Sequence, residues 1–316
     1  MNLAVVILLF VLGLVLIIKS GDVFVDAASW IAEVSGIPKL IVGATVVSLA
    51  TTLPEMIVSS IAASQGKVDM AIGNAIGSVT ANTGLIMAIS LIFIPMAIER
   101  KKYLTKILLL IGSIIALLLC SITGELTVVR SLVLFALCAY FFYENIRAAV
   151  RGSKAEKDAE RPEVNKKIII TNILKFVLGA AGIVIGSDLL VDNGSALAAV
   201  LGVPENVIAL TCVAIGTSLP ELVTTITAVV KKEASLSVGN IIGANIIDLS
   251  LILPICSLIS GQALPVPKTS AYIDIPVCLL VTFVGLVPLI IREKSSRVQG
   301  FALLGCYAAY LAVTVL

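Results

Sequence analysis

Apolar positions in this chain come in long blocks, not in alternation. Ten such blocks lie near residues 3–18, 38–64, 70–97, 104–121, 126–147, 168–190, 204–230, 235–260, 271–291 and 298–315, each bounded by charged or turn-forming residues. A helix needs about 20 mostly apolar residues to cross the hydrocarbon core of a bilayer. The pattern therefore predicts an all-α polytopic membrane protein with ten transmembrane helices. The first block opens at Leu3 with no basic region ahead of it, so it reads as a spanning helix rather than a cleaved signal. The pattern lapses over residues 147–167, which are polar, charged in both signs and without apolar period. That is the signature of a solvated linker. It divides the chain into a first unit, 1–150, a charged linker, 151–167, and a second unit, 168–316.

The two units repeat one another. Residues 50–55 read A-T-T-L-P-E and residues 216–221 read G-T-S-L-P-E, so Glu55 and Glu221 stand 166 positions apart. The same interval relates Asp22 to Asp188, Gly36-Ile37-Pro38 to Gly202-Val203-Pro204, Gly73-Asn74 to Gly239-Asn240, and Asn82 to Asp248. Basic residues then orient the halves. Of the 22 lysines and arginines, 18 fall in the odd-numbered connections between blocks; Lys67, Arg130 and Lys268 fall in the even ones, and Lys175 lies within the sixth block. The positive-inside rule puts the odd connections in the cytoplasm and both termini outside. Five spans per half is an odd number, so the halves must run in opposite senses: two inverted five-helix repeats.

Each motif places an acid next to a proline at membrane depth. Pro54 and Pro220 lack an N–H, which frees the carbonyls of Ala50 and Gly216, and each pushes the leucine before it, Leu53 or Leu219, away from helical geometry. A break is expected there, with Thr51, Thr52, Thr217 and Ser218 supplying hydroxyls beside it. Freed backbone groups inside a membrane need a protein cavity, water or an ion. The next block of each half adds Asn74, Ser78 and Asn82, or Asn240, Asn245 and Asp248. Gly73/Gly77 and Gly239/Gly243, four apart, form faces that let another helix approach closely. An ionised acid in mid-membrane costs at least about 2.5–3.5 kcal/mol, so a matched pair of glutamates points to a function. All these ligands are oxygens, the set that a hard cation such as calcium or sodium takes. Asn74 and Asn240 also read as interhelical glue. Asp22, Asp26, Asp188 and Asp192 fall near span ends and read as capping or interface groups, as do Glu144 and Asp274.

Composition narrows the classes. The chain is 59% hydrophobic and 13% charged, with mean hydropathy +1.12, against about 25% charged in a soluble domain. A net charge of +2 with no basic tail gives no nucleic-acid footprint. Histidine is absent, and the six cysteines sit in apolar runs without a C-x-x-C, so neither a zinc centre nor a disulfide framework is indicated. No nucleophile–base pair occurs in the motifs, so an enzyme is not expected and no cofactor is implied.

At these residues the chain resembles the cation/calcium exchanger superfamily, and most its prokaryotic sodium/calcium exchangers. The resemblance covers roughly residues 1–315 and is carried by the paired blocks 43–89 and 209–255. It implies ten helices in inverted five-helix repeats around a central diamond of the second, third, seventh and eighth helices, in the cell membrane of a prokaryote. It implies calcium at Glu55 and Glu221. It implies sodium ions at Thr51, Thr52, Ser78, Thr217 and Ser218 with the carbonyls near Ser48 and Ala214, and a middle position completed by Asn82 and Asp248. The chain departs from the family pattern at Val79, at Ala244 where serine is common, and at Ala50 and Thr52 where glycine and serine are common. Neutral Asn82 sets it apart from potassium-dependent relatives. The expectation is a sodium-for-calcium antiporter working by alternating access. A proton- or potassium-coupled calcium exchanger is the near alternative and a passive cation channel the remote one. Its partners are calcium, sodium and lipid, and its oligomeric state is open.

Overall fold

The computed structural model describes residues 3–94, 97–155, 165–200 and 216–315. The helices are α1 (Leu3–Ser35), α2 (Lys39–Thr51), α3 (Leu53–Ser64), α4 (Val68–Phe93), α5 (Arg100–Ser121), α6 (Val128–Ala155), α7 (Lys166–Val200), α8 (Leu219–Val230), α9 (Ala234–Ser260), α10 (Ser270–Arg292) and α11 (Arg297–Val315). Among the described residues, seven helices are long and apolar enough to cross a membrane. The pair α2 and α3, bent by 46°, makes an eighth if counted as one span. Of the expected span 204–230, residues 204–215 lie outside the described residues.

Three boundaries differ from the sequence expectation. Helix α1 runs 33 residues and α7 runs 35, far past the apolar blocks 3–18 and 168–190. Lys19, Asp22, Asp188 and Asp192 interrupt the apolarity but offer no helix-breaking chemistry, so α1 continues until Gly36, whose φ of +67° ends it. At 1.5 Å per residue each helix is roughly 50 Å long, well beyond the hydrocarbon thickness. Helix α6 likewise carries nine residues of the polar stretch, 147–155, in helical form.

The breaks fall one residue earlier than the prolines suggest. Thr52 (φ −85°, ψ 2°) and Ser218 (φ −88°, ψ 3°) are the irregular residues, while Leu53 and Leu219 open the next helices. Pro54 and Pro220 thereby occupy the second helical position, where no N–H is needed. The 166-residue interval persists in the backbone. Gln65 and Lys231 end α3 and α8 with similar dihedrals. Gly66 and Lys232 follow with φ of +73° and +64°. Wide π turns begin at Asn82 in α4 and Asp248 in α9.

Among the candidate spans of the described residues, α4 and α9 are the most enclosed and α7 the least, with α1 and α6 next. The main core joins Ile72, Ile76 and Leu91 of α4 to Leu110 and Ile114 of α5, Ile242, Ile246 and Leu253 of α9, and Leu286 of α10. Helices α1 and α7 pack on each other through small residues. A Cβ on Gly182 would lie 2.1 Å from Ser20 Oγ, and one on Gly186 2.9 Å from the Ile17 nitrogen. Helix α9 lies as close on α2: a Cβ on Gly239 would come within 2.4 Å of the Leu40 carbonyl oxygen, and one on Gly243 within 2.4 Å of that of Ala44. For Gly73 and Gly77, expected to do the same, no atom among the described residues comes within 4 Å of a built Cβ, and both line a cleft with Asp274, Tyr307 and Tyr310. The segment that the repeat interval would set against them, 206–210, lies outside the described residues.

Connections pair across the halves. Glu125–Leu126 (β1) after α5 forms an antiparallel ladder with Leu264–Pro265 (β2) after α9. Ala97 before α5 bridges Lys294 after α10, and the Ile98 N–H donates to the Glu293 carbonyl at 2.9 Å. The two pairings therefore sit at opposite ends of α5.

Candidate functional site

Glu55 lies in the first turn of α3 and Glu221 in the first turn of α8. A helix N-terminus favours negative charge, and the proline beside each acid keeps the preceding turn irregular. Asp248 and Asn82 each open a π turn, which widens the helix by one residue and turns that side chain out of the regular register. Glu55, Glu221 and Asp248 are all at most 1% exposed. Each feels the charge of at least one of the others, yet among the described residues no well-formed hydrogen bond reaches any of their six carboxylate oxygens, the Thr51 hydroxyl beside Glu221 being a donor at hand. Buried acids without donors are costly; a cation among them removes both the repulsion and the deficit. Among the described residues no three acids or cysteines gather tightly enough to hold a metal ion by themselves. A cation here would need neutral oxygens as well.

Those oxygens are present. Thr51, Thr52, Ser78 and Ser218 are buried, and the Ser78 and Ser218 hydroxyls are without partners. Thr52 Oγ1 donates to the Ser48 carbonyl at 2.7 Å, which also receives Thr51 Oγ1 at 3.3 Å and the Thr52 N–H at 2.9 Å. The hydroxyl lone pairs of the threonines thus stay available, while the Ser48 carbonyl, expected as a ligand, already serves its own helix. Ala214 lies outside the described residues. Thr217 Oγ1 faces Asn74 Oδ1 at 3.5 Å, and its repeat mate Thr51 donates to Asn240 Oδ1 at 3.2 Å. Each break is therefore tied to an asparagine of the other half. Asn74 further donates to Ser59 Oγ at 2.9 Å and to the Glu55 carbonyl at 3.4 Å. The glue reading of the two asparagines and their nearness to the acids are the same fact.

Asn82 and Asn245 were expected as oxygens at membrane depth, but the bonds that join them to Thr83, and the hydroxyls of Thr224 and Thr225, were not. Asn82 Nδ2 donates to Asn245 Oδ1 at 3.0 Å, and Asn245 Nδ2 donates to Thr83 Oγ1 at 2.8 Å. Thr224 and Thr225, one turn beyond Glu221, hold buried hydroxyls without partners. The available signal was their i+3 and i+4 spacing from the acid.

The other acids divide differently from expectation. Asp188 and Asp192 lie well inside α7, and they line a cavity of about 170 Å³ with Ser187, Thr217 and the two motif prolines. They are not helix caps, because α7 does not end there. Asp26 and Asp22 pair with Lys231 at 2.7 and 3.6 Å, joining α1 to the end of α8. Lys39 pairs with Glu33 and Glu233 at 3.1 and 2.6 Å. Glu144 pairs with Arg147, and Asp274 accepts from the Tyr310 hydroxyl at 3.0 Å.

Comparison with known proteins is consistent along the chain. The sequence model of a family described as "Sodium/calcium exchanger protein" matches residues 5–146 and 171–316. The Sodium/calcium exchanger MaX1 of Methanosarcina acetivorans is 29% identical, over 97% of this chain and 97% of its own. The Inner membrane protein YrbG of Escherichia coli is 33% identical, over 96% and 95%. Among solved structures, the sodium-calcium exchanger NCX_Mj soaked with zero Na⁺ and Ca²⁺ superposes with a TM-score of 0.85 at 27% identity, covering 99% of each chain.

Proposed function

The chain belongs to the sodium/calcium exchanger protein family, and from that premise we propose that it works by alternating access at a mid-membrane site built around Glu55 and Glu221. It is a membrane antiporter that exchanges sodium for calcium, a transporter and not an enzyme. The observation that carries the site is the burial of three carboxylates, Glu55, Glu221 and Asp248, which no well-formed hydrogen bond reaches among the described residues. Calcium sits between the two glutamates and neutralises two of three formal charges. Sodium ions take the flanking hydroxyls of Thr51, Thr52, Ser78, Thr217 and Ser218, and Asn82 and Asp248 complete the middle. No cofactor beyond the transported ions is required.

Ten spans follow if α2 with α3 is the second and α8 is the end of the seventh. The inverted relation of the halves is supported by the paired connections. The loop after α4 meets the one after α10, and the loop after α9 meets the one after α5, at the other end of that helix. Repeat-equivalent loops thus lie on opposite faces. With the basic connections in the cytoplasm, both termini lie outside. Exchange is obligatory because the acids, left uncompensated, oppose crossing of the empty site. The long pair α1 and α7, packed mainly on each other, slides past the core to switch access.

Radiolabelled calcium uptake into sodium-loaded vesicles tests this. Glu55→Gln and Glu221→Gln should each lower exchange at least about 100-fold, since one unit charge at 4 Å is worth about 4 kcal/mol at an effective dielectric of 20. Exchange at wild-type rate in either folded variant, or uptake that ignores collapse of the sodium gradient, overturns the reading.

A further inference from the structure

We propose that Asn245 is a positioning residue: held by Thr83, it fixes the side-chain amide of Asn82 so that Oδ1, not the N–H₂, is offered to the transported cation. This rests on the site reading above and concerns a residue outside it. Asn82 Nδ2 is spent on Asn245 Oδ1 at 3.0 Å. Asn245 cannot readily turn, because its own Nδ2 is spent on Thr83 Oγ1 at 2.8 Å. All three residues are at most 1% exposed, so water does not compete for these bonds. With that N–H so directed, Asn82 Oδ1 is left buried and, among the described residues, without a donor.

An amide needs such a strap and a carboxylate does not. Half a turn about the last side-chain bond exchanges an acceptor for a donor in Asn82, and a donor repels a cation. The same half turn leaves a carboxylate unchanged, because its two oxygens are equivalent. The repeat makes the comparison within one molecule. Asp248 stands where Asn82 stands, and both of its oxygens are free of donors. The residues matching Asn245 and Thr83 at the 166-residue interval are Val79 and Leu249, neither of which can bond an amide. The polar strap occurs where the ligand is an amide and is replaced by apolar side chains where it is an acid.

That contrast fixes the experiment. Calcium binding is measured by calorimetry on purified protein, and half-saturating calcium by sodium-driven uptake in vesicles, for Asn245→Val alone and in an Asn82→Asp background. Valine is the residue that the fold already accepts at position 79. With Asn82 present, Asn245→Val should weaken calcium about tenfold, at the low end of the losses caused by removing groups that orient metal ligands, with maximal rate changed far less. With Asp at position 82 the same substitution should cost less than about twofold, compared with Asn82→Asp alone, because nothing remains to be oriented. An equal loss in both backgrounds marks Asn245 as packing and overturns the proposal, as does no loss with Asn82 present. Asn245→Ala enters the same comparison should the valine variant not fold. Glu221→Gln is the control for the underlying site: undiminished calcium binding there removes the carboxylate reading itself, whatever Asn245 does.

Discussion

Three buried carboxylates that no basic side chain pairs with among the described residues, Glu55, Glu221 and Asp248, make binding and stability one quantity at the residue scale. A ligand that binds the folded state at 100 times its dissociation constant stabilises it by about 2.7 kcal/mol. Calcium should therefore raise the melting temperature of the purified protein, chelation should reverse the rise, and Glu221→Gln should lose most of it. A melting temperature indifferent to calcium in the wild type counts against the acids as its ligands. The two glutamates were legible in the sequence, because an acid after a proline in an apolar run has little other purpose. Asn245 was legible as a polar group at membrane depth, but its bonds to Asn82 and Thr83 were not, because they join residues more than 160 positions apart and no local spacing signals them.

At the scale of the element, the glycine motif shows what it is for where its partner is described. The G-x-x-x-G faces of α4 and α9 read alike; Gly239 and Gly243 press against the backbone of α2, and the segment that the repeat interval sets against Gly73 and Gly77 lies outside the described residues. Gly243→Ala puts a methyl group about 2.4 Å from the Ala44 carbonyl oxygen, and such overpacking costs roughly 1–3 kcal/mol. It should lower the melting temperature and impair uptake. Thermal melts and vesicle uptake of this variant beside the wild type check it. The helix breaks were legible as well, displaced by one residue because proline is welcome in the first turn it initiates.

Over the whole molecule, the crossed loop pairings argue for inverted halves, and labelling decides it. In a background without reactive native cysteines, Lys294→Cys should react with a membrane-impermeant maleimide only from the cytoplasmic side and Thr123→Cys only from outside; both residues are exposed. Reaction of both from one side is incompatible with the inversion. Helix α1 is tied to the end of α8 by partly exposed ion pairs such as Lys231 to Asp26. Such pairs contribute about 0–1 kcal/mol each, so they do not lock α1 against movement.

Sequence alone determined the membrane class, the duplicated unit, the pair of acidic breaks and the oxygen character of the site, because each follows from local composition and a fixed interval along one chain. Tertiary structure decided how far α1 and α7 extend, which backbone presses on Gly239 and Gly243, and that Asp188 and Asp192 border a cavity instead of capping a helix. It also decided which asparagine is strapped and which acid stands free. Those outcomes depend on contacts between segments far apart in the chain, where packing and burial choose among arrangements that the local pattern leaves equal.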